Sequence, residues 1–240
     1  MLKGRTVLVT GGSGHIGREI CRLCHGYGAR VIFSWHRDES AAETLAAELP
    51  GSLPVRIDLG DVADIKQKID GLYRELETID VLVNNAAIAQ PMPLPLIEEQ
   101  DVDRIMDINI KGTLFVTQQV IRGMVRNKRG TVVNVGSIGG NRMFDVPVTY
   151  AMSKAAISGM TYALAVELKR FGIRVNSVVP GLIDGGVGEG VPEALRNDFI
   201  SHCATGRSGR AGEVAELICF LASDRASYIN GQNICVDGGI

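Results

Sequence analysis

Short apolar, β-branched runs alternate along the chain with longer stretches of helical periodicity. The runs fall at 6–10, 30–35, 53–57, 81–83, 131–135, 174–178 and 233–236, and the helical stretches near 15–27, 40–49, 61–77, 98–127, 148–171 and 211–222. Val7-Leu8-Val9 is apolar without alternation, the pattern of a strand covered on both faces. Strand–helix alternation at this spacing predicts right-handed crossovers and a parallel sheet with helices on both faces. The fold class is therefore α/β, a single doubly wound Rossmann-type domain over residues 1–240 built on a seven-stranded parallel sheet. No linker, internal repeat or low-complexity tract divides the chain, and the Pro-x-Pro-x-Pro at 91–95 is a stiff loop too short to part domains.

Composition narrows the function. With 240 residues, 45% of them hydrophobic, the chain needs neither disulfides nor metal to fold. Lys plus Arg number 25 against 27 Asp plus Glu, so no basic footprint marks nucleic acid or an anionic membrane as a partner. The longest uncharged stretch, 81–97, holds Asn84, Asn85, Pro91, Pro93 and Pro95, which rules it out as a spanning helix. Met1-Leu2-Lys3-Gly4-Arg5 leads straight into a strand-like run without signal-peptide architecture, and five cysteines make no disulfide framework. Both point to the cytoplasm. Cys21-Arg22-Leu23-Cys24-His25 has the form of a covalent haem site. It lies, however, in a helix whose apolar stripe is Ile16, Ile20, Leu23, Cys24 and Tyr27, so core packing is the expectation. No second Cys pair completes a zinc site, and no metal is expected.

Two groups of residues carry chemistry. Thr10-Gly11-Gly12-Ser13-Gly14-His15-Ile16-Gly17 closes the first strand and opens the first helix, where glycines let backbone N–H groups approach a pyrophosphate. The second group is Ser137 with Tyr150-Ala151-Met152-Ser153-Lys154. Tyr150 and Lys154, four residues apart, share a helix face. A cation about 4 Å from a phenol favours phenolate by on the order of 4 kcal/mol at an effective dielectric near 20. That would lower the phenol by some two or three pKa units. Tyr150 then suits proton transfer to a carbonyl oxygen as hydride reaches its carbon, and Ser137, ending a strand, could hold the same oxygen.

With these motifs in place, the sequence resembles the classical short-chain dehydrogenase/reductases from residue 3 to the C-terminus. In the family motif T-G-x-x-x-G-x-G the outer glycines are Gly11 and Gly17, whereas His15 takes the middle place and Gly14 lies one residue earlier. The resemblance implies a catalytic set of Asn109, Ser137, Tyr150 and Lys154, with Asn109 supporting a proton-relay water and Lys154 also holding the nicotinamide ribose. It implies cofactor contacts from Gly11, Ser13, Gly14, His15, Ile16 and Gly17, from His36 and Arg37, and from Asp58 and Leu59, with Asp58 at the adenine. Asn85 and Ala86, in Asn84-Asn85-Ala86-Ala87, and Pro180, Gly181 and Ile183 complete that set. Where the family continues to a Thr that meets the carboxamide, this chain has Gly185. The glycine-rich 184–190 segment and a helix near 192–203 then resemble the substrate lid.

The implied cofactor is NADP, with NAD possible. Trp35 stands where NAD-specific relatives carry an acid, and His36 and Arg37 follow, although Asp38 and Glu39 compete for Arg37. Asn109–Gln118, 206–210 and the tail from Phe220 look most like 3-oxoacyl-[acyl-carrier-protein] reductases and polyketide ketoreductases. The reading is an NADPH-dependent carbonyl reductase acting on a small-molecule or carrier-protein-bound ketone, most simply a 3-oxoacyl thioester, in a homotetramer. Lys128-Arg129 and Lys169-Arg170 are candidate contacts for an acidic carrier. An NAD-dependent alcohol, polyol or sugar dehydrogenase is the alternative within enzymes. The alternative outside them is a non-catalytic nucleotide sensor, which would typically have lost the Tyr or the Lys.

Overall fold

In the computed structural model, which describes residues 1–240, every apolar run becomes a strand. The strands are β1 Thr6–Val9, β2 Arg30–Trp35, β3 Leu53–Arg56, β4 Val81–Asn84, β5 Gly130–Val135, β6 Ile173–Pro180 and β7 Asn233–Val236. They form one sheet in the order β3-β2-β1-β4-β5-β6-β7, and each neighbouring pair is parallel. The helices are α1 His15–Gly26, α2 Glu39–Glu48, α3 Val62–Glu75, α4 Glu99–Ile105, α5 Thr113–Asn127, α6 Val148–Leu168, α7 Glu193–His202 and α8 Ala211–Ala222. No helix is long and apolar enough to cross a membrane.

The two-residue period of a strand sorts the core into two layers. Val7, Val9, Val31, Phe33, Val81 and Val83 face one way and pack with α1, α2 and α8 in a cluster of 26 buried residues. Leu8, Ile32, Leu82, Val132 and Val175 face the other way and join α3, α5 and α6 in a cluster of 18. Cys21 and Cys24 point into the first layer, where the Cys24 sulfur lies 3.5 Å from that of Cys219. The haem-like spacing is thus core packing.

One element departs from the simple pattern. The stretch read as a helix over 98–127 is α4, a π-helical segment at Met106–Gly112, and α5. The widened turns carry Asn109 at their centre. Such segments recur at functional sites because they reposition a side chain without ending the helix.

Candidate active site

A cleft of about 730 Å³ opens along the C-terminal ends of β1, β2, β4, β5 and β6. The strand order reverses there between β1 and β4, which leaves a crevice outside the carboxyl ends of the strands. The glycine loop forms one side. A Cβ at Gly17 would lie 2.8 Å from the Gly12 Cα and against the Gly11 carbonyl, so only glycine lets α1 start this close beneath the loop. The Asn85 amide straps the loop to β4, donating to the Thr10 and Gly11 carbonyls at 3.0 and 3.1 Å. At the N-terminus of α1, Gly14 supplies no capping side chain and the first turn holds no acidic residue. Its free N–H groups and the positive end of the helix dipole fit the pyrophosphate of a dinucleotide.

Beyond β2 and β3, Trp35, His36 and Arg37 line the cleft with Asp58 and Leu59. The Asp58 carboxylate lies 3.4 Å from the His36 ring and also accepts the Gly60 N–H at 2.9 Å. Asp38 does not engage Arg37: its carboxylate caps α2, accepting the Ala41 N–H at 2.9 Å. Beside the cleft, Arg37 shares a smaller hollow with Trp35, His36, Glu39 and Arg56. Arg56 was not legible from sequence. It comes alongside because the register of β2 and β3 pairs it with Trp35, and its Nε donates to the His36 carbonyl at 3.2 Å.

Ser137 follows β5 in extended backbone, φ −165°, and its hydroxyl accepts the Gly139 N–H at 3.2 Å. Tyr150 and Lys154 stand one turn apart on α6, with Lys154 Nζ 5.7 Å from the centre of the phenol ring. The expected fall of the phenol pKa does not occur. Burial raises Tyr150 above its ordinary value, and the Ser137 hydroxyl opposes this only in part. Lys154 is itself buried, donates to the Val135 carbonyl at 2.7 Å, and is lowered by desolvation to about 8. Desolvation dominates at both groups, and helix-face spacing by itself does not reveal it.

Most of the residues singled out by sequence converge on this cleft: Gly11, Ser13, Gly14, His15, Ile16, Asn85, Ala86, Pro180, Gly181 and Ile183 line it with those above. Gly17 and Asn109 do not. Gly17 is buried under the loop, and Asn109, 2% exposed, sits behind Ile88. The Asn109 amide accepts the Ile88 N–H and donates to the Ile88 carbonyl, both at 2.8 Å, and donates to the Ser153 hydroxyl at 3.0 Å. Sequence reading also missed the apolar wall of the cleft. Phe144 and Val146 face Leu182, Leu195 and Phe199, and the Phe144 and Phe199 rings meet edge-on at 5.2 Å. Periodicity could not flag these residues, because they come from loops and the lid.

The basic pairs considered for a carrier lie elsewhere. Lys128-Arg129 and Lys169-Arg170 lead into the N-terminal ends of β5 and β6, the sheet edge opposite the cleft. Arg129 is also paired with Asp224 at 3.1 Å.

A family model described as enoyl-(acyl carrier protein) reductase matches residues 12–240. The chain belongs to the short-chain dehydrogenase/reductase family. It is an oxidoreductase. It is 38% identical to the 3-oxoacyl-[acyl-carrier-protein] reductase FabG of Thermotoga maritima, over the whole of this chain and 98% of the relative. It is 37% identical to the oxidoreductase UcpA of Salmonella typhimurium, over 99% of this chain and 95% of that one. Among solved structures, a gluconate 5-dehydrogenase from Burkholderia cenocepacia in complex with NADP and tartrate superposes with a TM-score of 0.93 at 28% identity, covering 99% and 95% of the two chains.

Proposed function

We propose that this protein is an NADPH-dependent carbonyl reductase that converts a 3-oxoacyl thioester, presented on an acyl carrier protein, to the 3-hydroxy product. One unit would carry both cofactor and substrate sites, in the cytoplasm and as a homotetramer. The observation behind the reading is the convergence of Ser137, Tyr150 and Lys154 in a cleft whose lid side is apolar. The Tyr150 phenol, pushed up by burial, suits the donation of a proton to a carbonyl oxygen. The wall of Phe144, Val146, Leu182, Leu195 and Phe199 suits an acyl chain better than a polyol, whose hydroxyls would be left without partners there. The full-length likeness to 3-oxoacyl-[acyl-carrier-protein] reductases supports the same substrate class.

When bound, the nicotinamide supplies the hydride. The chain supplies the rest. Ser137 would hold the ketone oxygen, and Tyr150 would donate its phenolic proton to that oxygen as negative charge develops. The Lys154 ammonium would hold the ribose and return a proton towards Tyr150. Because the Asn109 side chain is engaged with Ile88 and Ser153, a relay water would be held through its main-chain carbonyl. Arg37, with Arg56 beside it, would bind the 2′-phosphate of NADPH.

The test is a panel of 3-oxoacyl thioesters, simple ketones and polyols assayed with NADPH and NADH. Highest kcat/KM for a 3-oxoacyl thioester with NADPH supports the reading. Turnover of polyols alone, or no turnover of any carbonyl, overturns it.

A further inference from the structure

Two departures from the family pattern, far apart in sequence, meet in space. Gly185 and Gly186 open the lid with φ of +86° and +58°, and both abut the His15 ring or its Cβ. A Cβ built on Gly185 would lie 2.6 Å from Nε2 and 2.9 Å from Nδ1 of His15, and one built on Gly186 would lie 2.8 Å from the His15 Cβ. Carbon atoms do not approach side chains so closely without displacing them. The imidazole therefore fills the volume that a side chain at 185 would claim. The same residue is the first of α1 and lines the cleft at the phosphate end.

The hinge is held differently on its other side. Arg196 of α7 donates to the Asp184 carboxylate at 3.0 Å and to the Gly188 carbonyl at 2.7 Å, and the Ser208 hydroxyl donates to Asp184. Between these anchors and the cofactor loop, the Gly185–Gly186 backbone lies against the exposed His15 side chain. A glycine pair of left-handed backbone has many alternative conformations, and removing its inner support lowers the cost of local opening.

We infer that His15 and Gly185–Gly186 form one positioning pair, in which an imidazole on the phosphate-binding loop replaces the side chain the lid lacks and couples lid order to the cofactor site. The pair sets how firmly the lid segment is held before any ligand arrives, and so how tightly a dinucleotide is retained once it does. The second consequence rests on reading the cleft as a nicotinamide site; the first does not.

Hydrogen exchange on the ligand-free protein tests the packing directly. His15→Gly should speed exchange of the amides over 185–191 by about tenfold or more and leave the sheet unchanged, as local opening requires. A double-mutant cycle tests the coupling through the dissociation constant of NADPH, followed by cofactor fluorescence. Gly185→Ala should weaken binding several-fold more in the parent, where its Cβ meets the ring, than in His15→Gly, where the space is free. The backbone strain at 185 is common to both backgrounds and cancels. Unchanged exchange over 185–191, or an equal loss in both backgrounds, overturns the pair. Accelerated exchange in a protein that binds no NADPH would overturn the cofactor reading and leave the packing standing.

Discussion

Lys154 is held against the Val135 carbonyl and lowered by desolvation to about 8, so near neutral pH it loses its proton more readily than a surface lysine. Ribose hydroxyls and phosphates favour the ammonium, and a bound cofactor would raise this pKa again. Above pH 8 binding must therefore take up a proton, and affinity must fall as pH rises. Titration calorimetry of NADPH at pH 8.5, in buffers of different ionisation enthalpy, should show net proton uptake that disappears in Lys154→Met; equal heats in all buffers would refute it. Tyr150→Phe removes the proton donor and keeps the ring. Turnover should drop at least about a hundredfold, the lower range for acid–base groups, while NADPH binding survives. A correctly folded Tyr150→Phe with near-parent turnover would remove the tyrosine from the mechanism. For Arg37, a charge-assisted contact contributes about 1.5–3 kcal/mol, so Arg37→Ala should reduce the preference for NADPH over NADH by roughly ten- to a hundredfold. A ratio of kcat/KM values that does not move would show that the 2′-phosphate is bound elsewhere.

Among the elements, the π-helical segment shows where residue pattern stops being informative. Apolar periodicity located α1, α8 and the ends of the 98–127 stretch, because each stripe faces a core layer. It could not locate Met106–Gly112, since a change of side-chain direction over so short a segment leaves no readable break in the apolar stripe. What stabilises the segment is its side-chain clamp on the loop after β4. Asn109→Ala would leave the half-buried Ile88 N–H and carbonyl without that partner, at a cost of about 1 kcal/mol. In a chain of this length that corresponds to a fall in Tm of about 2–4 °C per kcal/mol. Differential scanning calorimetry checks it, and an unchanged Tm would show that Asn109 does not hold the loop.

At the scale of the molecule, one helix face has no partner within the subunit. Met152, Tyr162 and Val166 of α6 are 51%, 56% and 66% exposed, and the exposed Ala155, Gly159 and Ala163 lie on the same side. A Cβ at Gly159 would meet nothing within 4 Å. A contiguous apolar stripe with small residues admits a second helix at close range, as the proposed tetramer needs. Light scattering should give a mass of several subunits at micromolar concentration, and Tyr162→Glu with Val166→Glu should lower it while the fold survives. A monomer mass for the parent protein would refute the assembly.

The alternation of strands and helices, the glycine turn after β1 and the one-turn spacing of Tyr150 and Lys154 were all legible in the sequence, because each is a local pattern set by backbone geometry. That Asn84 serves a buried chain through Thr117, Asn134 and Thr161 was not. Nor were the place of Arg56 beside Trp35, the apolar lid wall, and the contact between His15 and Gly185. Those belong to strand register and loop packing, which join residues from distant parts of the chain. The direction in which Tyr150 and Lys154 shift was decided there too, because desolvation depends on everything packed around a group and not on its helical neighbour alone.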